Sequence, residues 1–511
     1  MMTASASMVS MSLSELLPDL VSATVDVDRV ITGLSLDSRT VQKGDLFLAC
    51  AGYQVHGSVF VADAIQAGAV AVLLEVMSPA EEQVTMQDIG VPCIPVYELN
   101  KRMGLIAARF YRQPSADMMT VGITGTDGKT SCSHFIAQSI HLLEGVCGLV
   151  GTLGYGLYGR LFRGQHTTPD ALRLQWELAE IRAQKSQMVV MEVSSHALSQ
   201  GRVNGVSFDI AVLTNLGRDH LDFHGDMKAY ADAKRSLFQT PGLSHVVLNL
   251  DDELGQALVE DVSSSTAVIV YGMNPDRLKV ISRPVLQWVW ADIVTMGTSG
   301  MTIYIDSSWG QGDLHTCLLG RFNVSNLLAT LSVLLIRGVG FEQALACLAN
   351  VTTVAGRMEQ FGGGEQALVV VDYAHTPGAL EAALKALREH CRGKLWCVFG
   401  AGGDRDTGKR PLMGQVAEKY ADYVVVTDDN PRNEDATQIV VDILSQMEHA
   451  DDVYVERGRA HAIEYAISCA SKGDVILVAG KGHETEQVIA GKQLRFSDRE
   501  QVLYYLQGDA Q

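Results

Sequence analysis

A glycine-rich segment at residues 125–131, with the sequence GTDGKTS, has the residue types needed to bind phosphate groups. Its glycines let the backbone turn tightly with its N–H groups pointing inward, and Lys129 brings a positive charge to the outer phosphates. The Thr130 hydroxyl can join the ligand shell of a Mg²⁺ ion. The segment departs from the strict G-x-x-x-x-G-K-[ST] pattern, because the outer glycine is Gly122 and not residue 123. A glycine turn with a surface lysine would account for the same residues, so the motif needs structural context.

The predicted elements around the segment supply that context. Residues 118–123 form an apolar run typical of a buried strand, and residues 134–143 carry apolar side chains at helical spacing. A strand, a glycine loop and a helix in this order bring backbone N–H groups and a helix N-terminus to the phosphates. We therefore predict an ATP-binding loop formed by Gly125, Thr126, Asp127, Gly128, Lys129, Thr130 and Ser131.

Polar side chains also follow the other strands predicted in the middle of the chain. The strands are predicted at residues 148–152, 188–193, 210–213 and 245–250, and they alternate with helices at residues 171–184 and 227–238. Such alternation predicts a mostly parallel sheet with its active loops at the carboxyl ends of the strands. From there Glu192 and His220 could reach a metal beside the triphosphate, and a buried carboxylate is costly unless it is paired. The alternatives are a structural histidine at His220 and an exposed helix lysine at Lys234.

The same pattern restarts in the last third of the chain. Buried strands at residues 367–371, 395–400, 423–426 and 475–479 each run into a polar loop that contains glycine or proline. This predicts a second parallel sheet with a ligand site at its loop edge. The GAGGDRD sequence lacks G-x-G-x-x-G spacing, which argues against a nicotinamide dinucleotide site.

A smaller α/β region precedes these two. It contains a predicted strand at residues 46–50, and its Ser38, Arg39 and the loop at 53–57 are polar where loops would converge. A capped turn explains these residues nearly as well as a binding site. With about 150 residues per domain as a guide, we predict three domains: a small N-terminal α/β domain at 1–113, a central P-loop ATPase-like parallel-sheet domain at 114–351, and a C-terminal Rossmann-like domain at 352–511. Gln113, Pro114 and Ser115 would form a linker.

Composition excludes several classes of protein. Hydrophobic residues make up 47% of the chain and charged residues 19%, which is typical of a globular α/β protein. A net charge of −19 argues against a general nucleic-acid binder. No apolar run is long enough to span a membrane, and the N-terminus lacks the pattern of a secretory signal, so we expect a cytoplasmic protein. The 9 cysteines form no C-x-x-C pair, so neither a zinc site nor a disulfide framework is indicated.

Taken in order, the motifs resemble those of the Mur ligases of peptidoglycan synthesis, and among these the members that add meso-diaminopimelate. The resemblance runs from LDSR at residues 36–39 to GKGHE at residues 480–484. Asp127 and Ser131 stand where the family usually has asparagine and threonine, and Gly378 stands where an acidic residue is usual. Lys129 and Thr130 are retained.

The resemblance implies an ATP-dependent amide ligase that joins meso-diaminopimelate to the D-glutamate of UDP-N-acetylmuramoyl-L-alanyl-D-glutamate through an acyl phosphate. It implies catalytic roles for Lys129, Lys234, Glu192 and His220. Mg²⁺ would be held by Thr130, Glu192, His220 and Lys234, the last as a carbamate (N6-carboxylysine). The base and ribose of ATP would meet Asn323, Arg357 and Asp372. The UDP-linked substrate would be held by Leu36, Ser38, Tyr53, Gln54, Val55, His166, Thr167, Thr168, Ser194, Gln200 and Arg202.

The amino-acid site is implied at Arg405, Asp429, Asn430, Pro431, Arg432, Gly480 and Glu484. Meso-diaminopimelate differs from lysine by one carboxylate, and the planar fork of Arg432 can bind that group in a bidentate manner. Pro431 would stiffen the loop, and Glu484 would receive the distal ammonium. Taken alone, Arg432 could equally be a surface arginine after a turn.

Two other functions remain open from the sequence. A folylpolyglutamate synthase-like ligase shares a related loop and amide chemistry, but it would not need the LDSR domain. A nucleotide-regulated scaffold would have no use for the polar loops of the second sheet. For the ligase that the resemblance implies, we expect small-molecule partners (ATP, the UDP-N-acetylmuramoyl dipeptide and meso-diaminopimelate), no nucleic acid, no membrane and a monomeric chain.

Overall fold

The computed structural model describes residues 9–18, 29–52, 55–83, 90–164, 166–283, 287–297 and 300–507. The described chain divides into two compact units. One contains the residues up to Trp290 together with Leu328–Gly340, and the other contains Ala291–Leu327 and the residues from Phe341 onward. None of the helices in these ranges is long and apolar enough to cross a membrane.

The N-terminal region is a small parallel sheet covered by helices. Its elements are β1 Met11–Ser12, α1 Leu13–Leu16, β2 Val30–Ile31, β3 Gly33–Ser35, β4 Asp45–Ala49, α2 Val61–Ala67, β5 Ala71–Val76, β6 Cys93–Tyr97 and α3 Leu99–Phe110. Strands β3 to β6 pair in parallel in chain order. Helix α3 buries Met103, Ile106 and Phe110, three or four residues apart, in the same cluster as Leu46 and Leu48 of β4.

The middle region supplies the strands that carry the glycine loop. Its elements are β7 Met119–Thr124, α4 Lys129–Leu142, β8 Cys147–Gly151, β9 Gly154–Leu157, β10 Arg160–Phe162, α5 Ala171–Ala183, β11 Met188–Glu192, α6 Ser195–Ser199, β12 Ile210–Leu213, α7 Leu221–His224, α8 Met227–Arg235, β13 His245–Asn249, α9 Glu253–Asp261, β14 Ala267–Gly272 and β15 Gln287–Gly297. The strand order is β10-β9-β8-β11-β7-β12-β13-β14-β15, and the strands from β8 to β14 are parallel.

Strand register brings the ends of three strands together. Glu192 at the end of β11 pairs with Ile123 of β7, and Leu213 at the end of β12 pairs with Thr124. The loops that follow β7, β11 and β12 therefore leave the sheet at one level, which is where a ligand site forms in a parallel sheet.

The last region contains the second sheet. Its elements are β16 Gly300–Ser307, β17 Gly310–Thr316, α10 Arg321–Ile336, α11 Phe341–Ala349, β18 Glu359–Gly362, β19 Leu368–Asp372, α12 Pro377–His390, β20 Leu395–Phe399, α13 Lys409–Tyr420, β21 Tyr423–Val426, α14 Ala436–Leu444, β22 Tyr454–Val455, α15 Arg459–Cys469, β23 Val475–Ala479, β24 Glu486–Ile489, β25 Lys492–Arg495 and α16 Asp498–Gln507. Strands follow the order β18-β19-β23-β20-β21-β22, and only β18 is antiparallel to its neighbour.

Both faces of this sheet are buried. Along β23, Val475 and Leu477 lie in one apolar cluster, whereas Ile476 and Val478 lie in another. Side chains alternate between the faces of a strand, so a strand covered by helices on both sides must be apolar throughout. The predicted α/β class is confirmed.

The structure differs from the prediction at Gln113, Pro114 and Ser115, which were expected to form a linker. Residues Pro114–Asp117 form a 3₁₀ turn, and Ser115 is buried. Its hydroxyl accepts the backbone N–H of Ser207 at 2.9 Å, so the segment is fixed against the body of its own unit.

The helix predicted at residues 227–238 also differs from the structure, where it is divided into α8 and a 3₁₀ turn at Ser236–Gln239. The domain boundaries at 113/114 and 351/352 stay predictions.

Candidate active site

The glycine loop joins β7 to α4 as predicted. Gly125 has a φ of 148°, and a side chain there would collide with the Thr214 hydroxyl, so only glycine fits. Gly128, with a φ of 83°, is the residue that precedes the first turn of α4. Gly122 lies inside β7, where an added Cβ would press on the ring of Phe208. It is thus a packing glycine of the strand, which explains the departure from the strict phosphate-loop spacing.

The loop is held from one side by the segment that follows β12. The Asp127 N–H donates to Asn215 Oδ1 at 3.0 Å, and the Asp127 carbonyl accepts the Thr214 hydroxyl at 2.6 Å. The Thr126 hydroxyl contacts the Tyr230 hydroxyl at 3.0 Å and accepts the Gly217 N–H at 2.8 Å. These bonds fix the backbone of the loop, whereas the side chain of Asp127 is exposed.

Two lysines donate to one carbonyl of this loop. The Nζ atoms of Lys129 and Lys234 each lie 2.8 Å from the carbonyl oxygen of Gly125, and Lys129 also donates to the Thr126 carbonyl at 2.8 Å. Lys234 is 1% exposed, and its Nζ lies 4.5 Å from the centre of the Tyr230 ring. From the sequence, Lys234 could have been an exposed helix lysine. The structure shows that it is buried at the phosphate loop.

Burial makes Lys234 an unusual amine. Loss of solvation, with the charge of Lys129 as a second cause, lowers its pKa to about 6, against partial compensation from Asp219 and Asp127. At neutral pH the amine is therefore mostly uncharged. An uncharged amine is the nucleophilic form, which is the form that can react with CO₂.

Glu192 lies beside the loop, and none of the described lysines, arginines or histidines forms an ion pair with it. It is 1% exposed and accepts three hydrogen bonds from neutral donors: the Thr130 hydroxyl at 2.8 Å, the Thr152 N–H at 2.9 Å and the Thr152 hydroxyl at 3.1 Å. A buried carboxylate paired only with neutral groups, next to a hydroxyl, is a suitable donor set for a hard cation such as Mg²⁺. Thr130 and Glu192 thus fit the predicted ion.

His220 stands apart from this pair. It has a φ of 52° at the start of α7, its side chain is 47% exposed, and its Nε2 lies 3.4 Å from an Asp219 carboxylate oxygen. Its ring centre is 4.7 Å from that of His196. Across the described ranges, no three His, Cys, Asp or Glu side chains are grouped closely enough to hold a metal ion. The role of His220 as a ligand therefore stays a prediction.

Four of the residues predicted to hold the UDP-linked substrate lie next to Glu192. The Thr168 hydroxyl donates to the Glu192 carbonyl at 2.8 Å and accepts the Ser194 N–H at 3.1 Å. Arg202 donates to the Thr168 carbonyl at 2.8 Å and to Gln200 Oε1 at 2.8 Å. One continuous network therefore joins four of the predicted residues to the end of β11.

The remaining substrate residues are less closely connected. The Thr167 hydroxyl lies 3.1 Å from that of Thr152, and His166 lines a cavity of about 330 Å³ with Pro169 and Arg173. In the N-terminal region, Leu36 packs against the core and Val55 is exposed. Tyr53 and Gln54 lie outside the described residues. The roles of these residues and of Ser38 stay predictions.

In the second unit, two of the three residues predicted to meet the base and ribose of ATP come together. Asp372 accepts the N–H groups of Met358 and Ala374 at 2.8 Å each, and Arg357 lies 4.7 Å from the centre of the Tyr373 ring. Burial raises the pKa of Asp372 against the opposing charge of Arg357. The Arg357 Nε is buried without a hydrogen-bond partner among the described residues. The roles of Arg357 and Asp372 in binding ATP stay predictions.

Asn323, the third of these residues, lies in α10. It is 3% exposed, and its amide donates to the Leu319 carbonyl at 2.9 Å. Its Oδ1 accepts the amide of Asn326 at 3.1 Å.

The predicted amino-acid residues gather at the carboxyl ends of β20, β21 and β23. Asn430 is central to them: its amide donates to Glu484 Oε2 at 2.9 Å, and its Oδ1 accepts Lys481 Nζ at 3.1 Å and the Val488 N–H at 2.9 Å. Gly480 has a φ of 116°, and a Cβ there would lie 2.7 Å from an Asp429 carboxylate oxygen. Asp429 and Pro431 are buried, and Arg405 is exposed.

Arg432 is held in a strained backbone conformation by two neighbouring segments. Its φ is 52°, in the left-handed region that arginine rarely adopts. The N–H of Arg432 donates to the Val488 carbonyl at 2.9 Å, its carbonyl accepts the Ala490 N–H at 2.7 Å, and its guanidinium donates to the Gly403 carbonyl at 2.7 Å. Strain that is maintained by several contacts is characteristic of functional sites. Arg432 is therefore fixed in position, and its role in binding the amino acid stays a prediction.

Several residues of the site had no predicted role. Thr152 is the first residue after a buried strand, and Asn215 and Lys481 are each the second residue after one. This position is the only signal that the sequence carries for them. The β24–β25 hairpin, which binds the backbone of Arg432, also escaped prediction because its strands are short and polar.

Comparison with known proteins identifies the family. Three family models match the chain: Mur ligase family, catalytic domain, at residues 30–111; Mur ligase middle domain at 123–334; and Mur ligase, glutamate ligase domain, at 356–482. The first of these covers the N-terminal region that a folylpolyglutamate synthase-like ligase would not need.

Individual relatives match over nearly the whole chain. A protein of Coxiella burnetii, named UDP-N-acetylmuramoyl-L-alanyl-D-glutamate–2,6-diaminopimelate ligase, is 46% identical over 96% of this chain and 98% of its own. A Pseudomonas aeruginosa protein of the same name is 46% identical over 96% of this chain and 97% of its own. A solved structure of a ligase of that name superimposes with a TM-score of 0.73 and 34% identity, covering 98% of this chain and 99% of the other. The chain belongs to the Mur ligase family.

Proposed function

We propose that this protein joins meso-diaminopimelate to the D-glutamate of UDP-N-acetylmuramoyl-L-alanyl-D-glutamate at the expense of ATP, in the synthesis of peptidoglycan precursors. The observation that carries the proposal is the 46% identity, over 96% of the chain, to a Coxiella burnetii protein named for this ligation. The geometry agrees with it, since a phosphate loop, a buried carboxylate and an arginine held by two loops are the groups that such a reaction needs.

The chemistry follows from the weakness of a carboxylate as an electrophile. The terminal carboxylate oxygen of the D-glutamate attacks the γ-phosphorus of ATP, ADP leaves, and an acyl phosphate forms. The amine of the incoming amino acid then attacks the acyl carbon, inorganic phosphate leaves, and the nitrogen loses a proton. Because two reactants held in line can gain roughly 7–11 kcal/mol from entropy already lost on binding, positioning is the main contribution of the protein.

Residues of the phosphate loop supply the charge that the first step needs. Lys129 must exchange the Gly125 and Thr126 carbonyls for the γ-phosphate oxygens, whose charge it neutralises as the phosphoryl group transfers. Thr130, Glu192, His220 and a carbamate on Lys234 would hold Mg²⁺, which supplies additional positive charge to the phosphate oxygens. Arg432 and Glu484 would orient the amino acid by its far carboxylate and ammonium.

A coupled assay of ADP and phosphate release tests the proposal. Purified enzyme is mixed with ATP, Mg²⁺ and the UDP-linked dipeptide, and amino acids are added one at a time. We expect release only with meso-diaminopimelate, together with one equivalent of UDP-linked tripeptide by mass spectrometry. Turnover with folate and glutamate would indicate the related ligase, and nucleotide hydrolysis without any amide product would indicate a switch protein.

A further inference from the structure

We propose that Lys481 is a positioning residue for amino-acid recognition, which holds Glu484 in the orientation that receives the amine-bearing substrate. The inference rests on the proposed function, because it gives Glu484 a substrate to bind. It assigns a role to a charged side chain that neither the phosphate chemistry nor the predicted amino-acid contacts use.

Lys481 is buried completely, and its partners are all residues of the amino-acid site. Its side chain is 0% exposed, and its Nζ lies 2.8 Å from Glu484 Oε2, 3.1 Å from Asn430 Oδ1 and 3.9 Å from an Asp429 carboxylate oxygen. Burying an ammonium is costly unless opposite charges and hydrogen bonds replace the water that it loses. Here those replacements come from two loops that lie 51 residues apart in the chain.

The arrangement leaves one oxygen of Glu484 for the substrate. Oε2 accepts from both Lys481 and Asn430, whereas Oε1 accepts no hydrogen bond from any described residue. Burial raises the pKa of Glu484, but the hydrogen bonds from Lys481 and Asn430 and the charge of Lys481 outweigh it, so the pKa lies below its usual value. The carboxylate is therefore charged and fixed in direction before a substrate ammonium arrives.

A second buried ion pair shows what a purely structural pair looks like in the same unit. Arg459 and Asp498 are both 0% exposed, and the guanidinium donates to both carboxylate oxygens and to the Ala479 carbonyl. That pair is closed, because both carboxylate oxygens are occupied. The pair of Lys481 and Glu484 is open on one side, since Glu484 remains 34% exposed. An open, oriented carboxylate is suited to binding a cation.

Steady-state kinetics of Lys481→Met tests the inference, because methionine keeps an unbranched side chain of nearly the same length and removes its charge and donors. We expect the KM for meso-diaminopimelate to rise by about 10- to 100-fold, as for loss of hydrogen bonds to a charged group. The KM values for ATP and for the UDP-linked dipeptide should not change. Lys472→Met is the matched control, since Lys472 forms an exposed ion pair with Glu365 in the same unit, and it should leave all three KM values unchanged.

A double variant separates positioning from structural support. If Lys481 acts through Glu484, Lys481→Met/Glu484→Gln should have the same KM for meso-diaminopimelate as Glu484→Gln alone. In Lys481→Met, the Glu484 carboxylate loses its cation, which can prevent folding. The double variant has no carboxylate at residue 484, so this cost is absent and its KM can be measured even where Lys481→Met does not fold. An additional loss in the double variant, or an unchanged KM for meso-diaminopimelate in a folded Lys481→Met, would overturn the inference. Failure of the proposed function is distinct, because the wild-type enzyme would then not use meso-diaminopimelate at all.

Discussion

The phosphate loop and the amino-acid loops each have a buried lysine, Lys234 in the first and Lys481 in the second, but their lysines have different hydrogen-bond partners. In the first, Lys129 and Lys234 donate to a shared backbone carbonyl, that of Gly125. In the second, Lys481 donates to the side chains of Glu484 and Asn430. A carbonyl dipole is a weaker partner for a cation than a carboxylate, so it is exchanged more readily for an incoming anion.

This difference indicates that the two regions have different functions in the reaction. At the phosphate loop, the Lys129 ammonium and the mostly uncharged Lys234 amine both donate to a backbone carbonyl. Lys129 can exchange that carbonyl for a phosphate oxygen, and Lys234 can react with CO₂, which suits a region where charge arrives and moves during the reaction. The amino-acid loops have their charges balanced beforehand, which suits a region that selects a substrate by shape and charge. Variants in the first region should mainly lower kcat, and variants in the second should mainly raise one KM.

Lys129→Ala gives the largest effect that we expect. Removing the ammonium from the transferring phosphoryl group should lower the rate of ADP formation by about 10³-fold or more. Binding of the UDP-linked dipeptide, measured by isothermal calorimetry, should remain nearly intact, because its predicted contacts are made by other residues. If Lys129→Ala retained its turnover, residues 125–131 would not be the ATP-binding loop, and the comparison of the two regions would no longer hold.

Lys234→Ala should also remove most activity, and short carboxylic acids should restore part of it by replacing the carbamate. Wild-type activity should require dissolved CO₂ and should fall as the pH drops below about 6, because protonation of Lys234 (pKa about 6) removes the nucleophilic amine. Lys228→Ala, an exposed lysine in the same helix, is the control. Full activity in CO₂-free buffer would refute the carbamate.

The same lysine makes a prediction for stability. Its pKa is lower in the folded chain than in the unfolded chain, so the unfolded state binds more protons between about pH 6 and the ordinary lysine value. In CO₂-free buffer, the free energy of unfolding should therefore rise with pH across this window. Lys234→Met should flatten that rise, as urea unfolding at several pH values would show.

Arg432→Ala should abolish the preference for meso-diaminopimelate over L-lysine. We expect the KM for meso-diaminopimelate to rise by about 10- to 100-fold and kcat to change little, since the lost contact is to a charged group remote from the reacting amine. Arg432→Gly also removes the guanidinium, but glycine adopts a positive φ without strain. It should lose the preference to the same extent as Arg432→Ala. A loss seen only in Arg432→Ala would indicate that backbone strain, and not the missing guanidinium, is the cause. Arg495→Ala, an exposed arginine of β25, should leave the preference unchanged.

Asp127→Asn should give the smallest effect, a decrease of about two- to fivefold in the KM for ATP. The exposed carboxylate repels the phosphates, but water and salt screen it. The decrease should shrink as ionic strength rises, and Ser131→Thr, the other departure from the family pattern, should change the KM less. A higher KM in Asp127→Asn would show that the carboxylate has a binding role of its own.

Sequence alone determined the strands and the loops that carry the chemistry. Strands β12, β21 and β23 have the bounds that were predicted for them, because short apolar runs bounded by polar residues, glycine or proline permit little else. The glycine loop, Glu192 and the Asn430 loop were identified in the same way, as polar residues that follow buried strands.

Only the tertiary structure decided which of these residues meet. Lys234 and Gly125 are 109 residues apart, and Asn430 and Lys481 are 51 apart, so their hydrogen bonds depend on strand order and register. The alternation of side chains along a strand shows which face each residue occupies, but it does not show which strands are neighbours. For the same reason, a lysine that looks exposed in helix α8 is buried at the phosphate loop, and the lysine of GKGHE acquires its partners only when β21 and β23 end at one edge of the sheet.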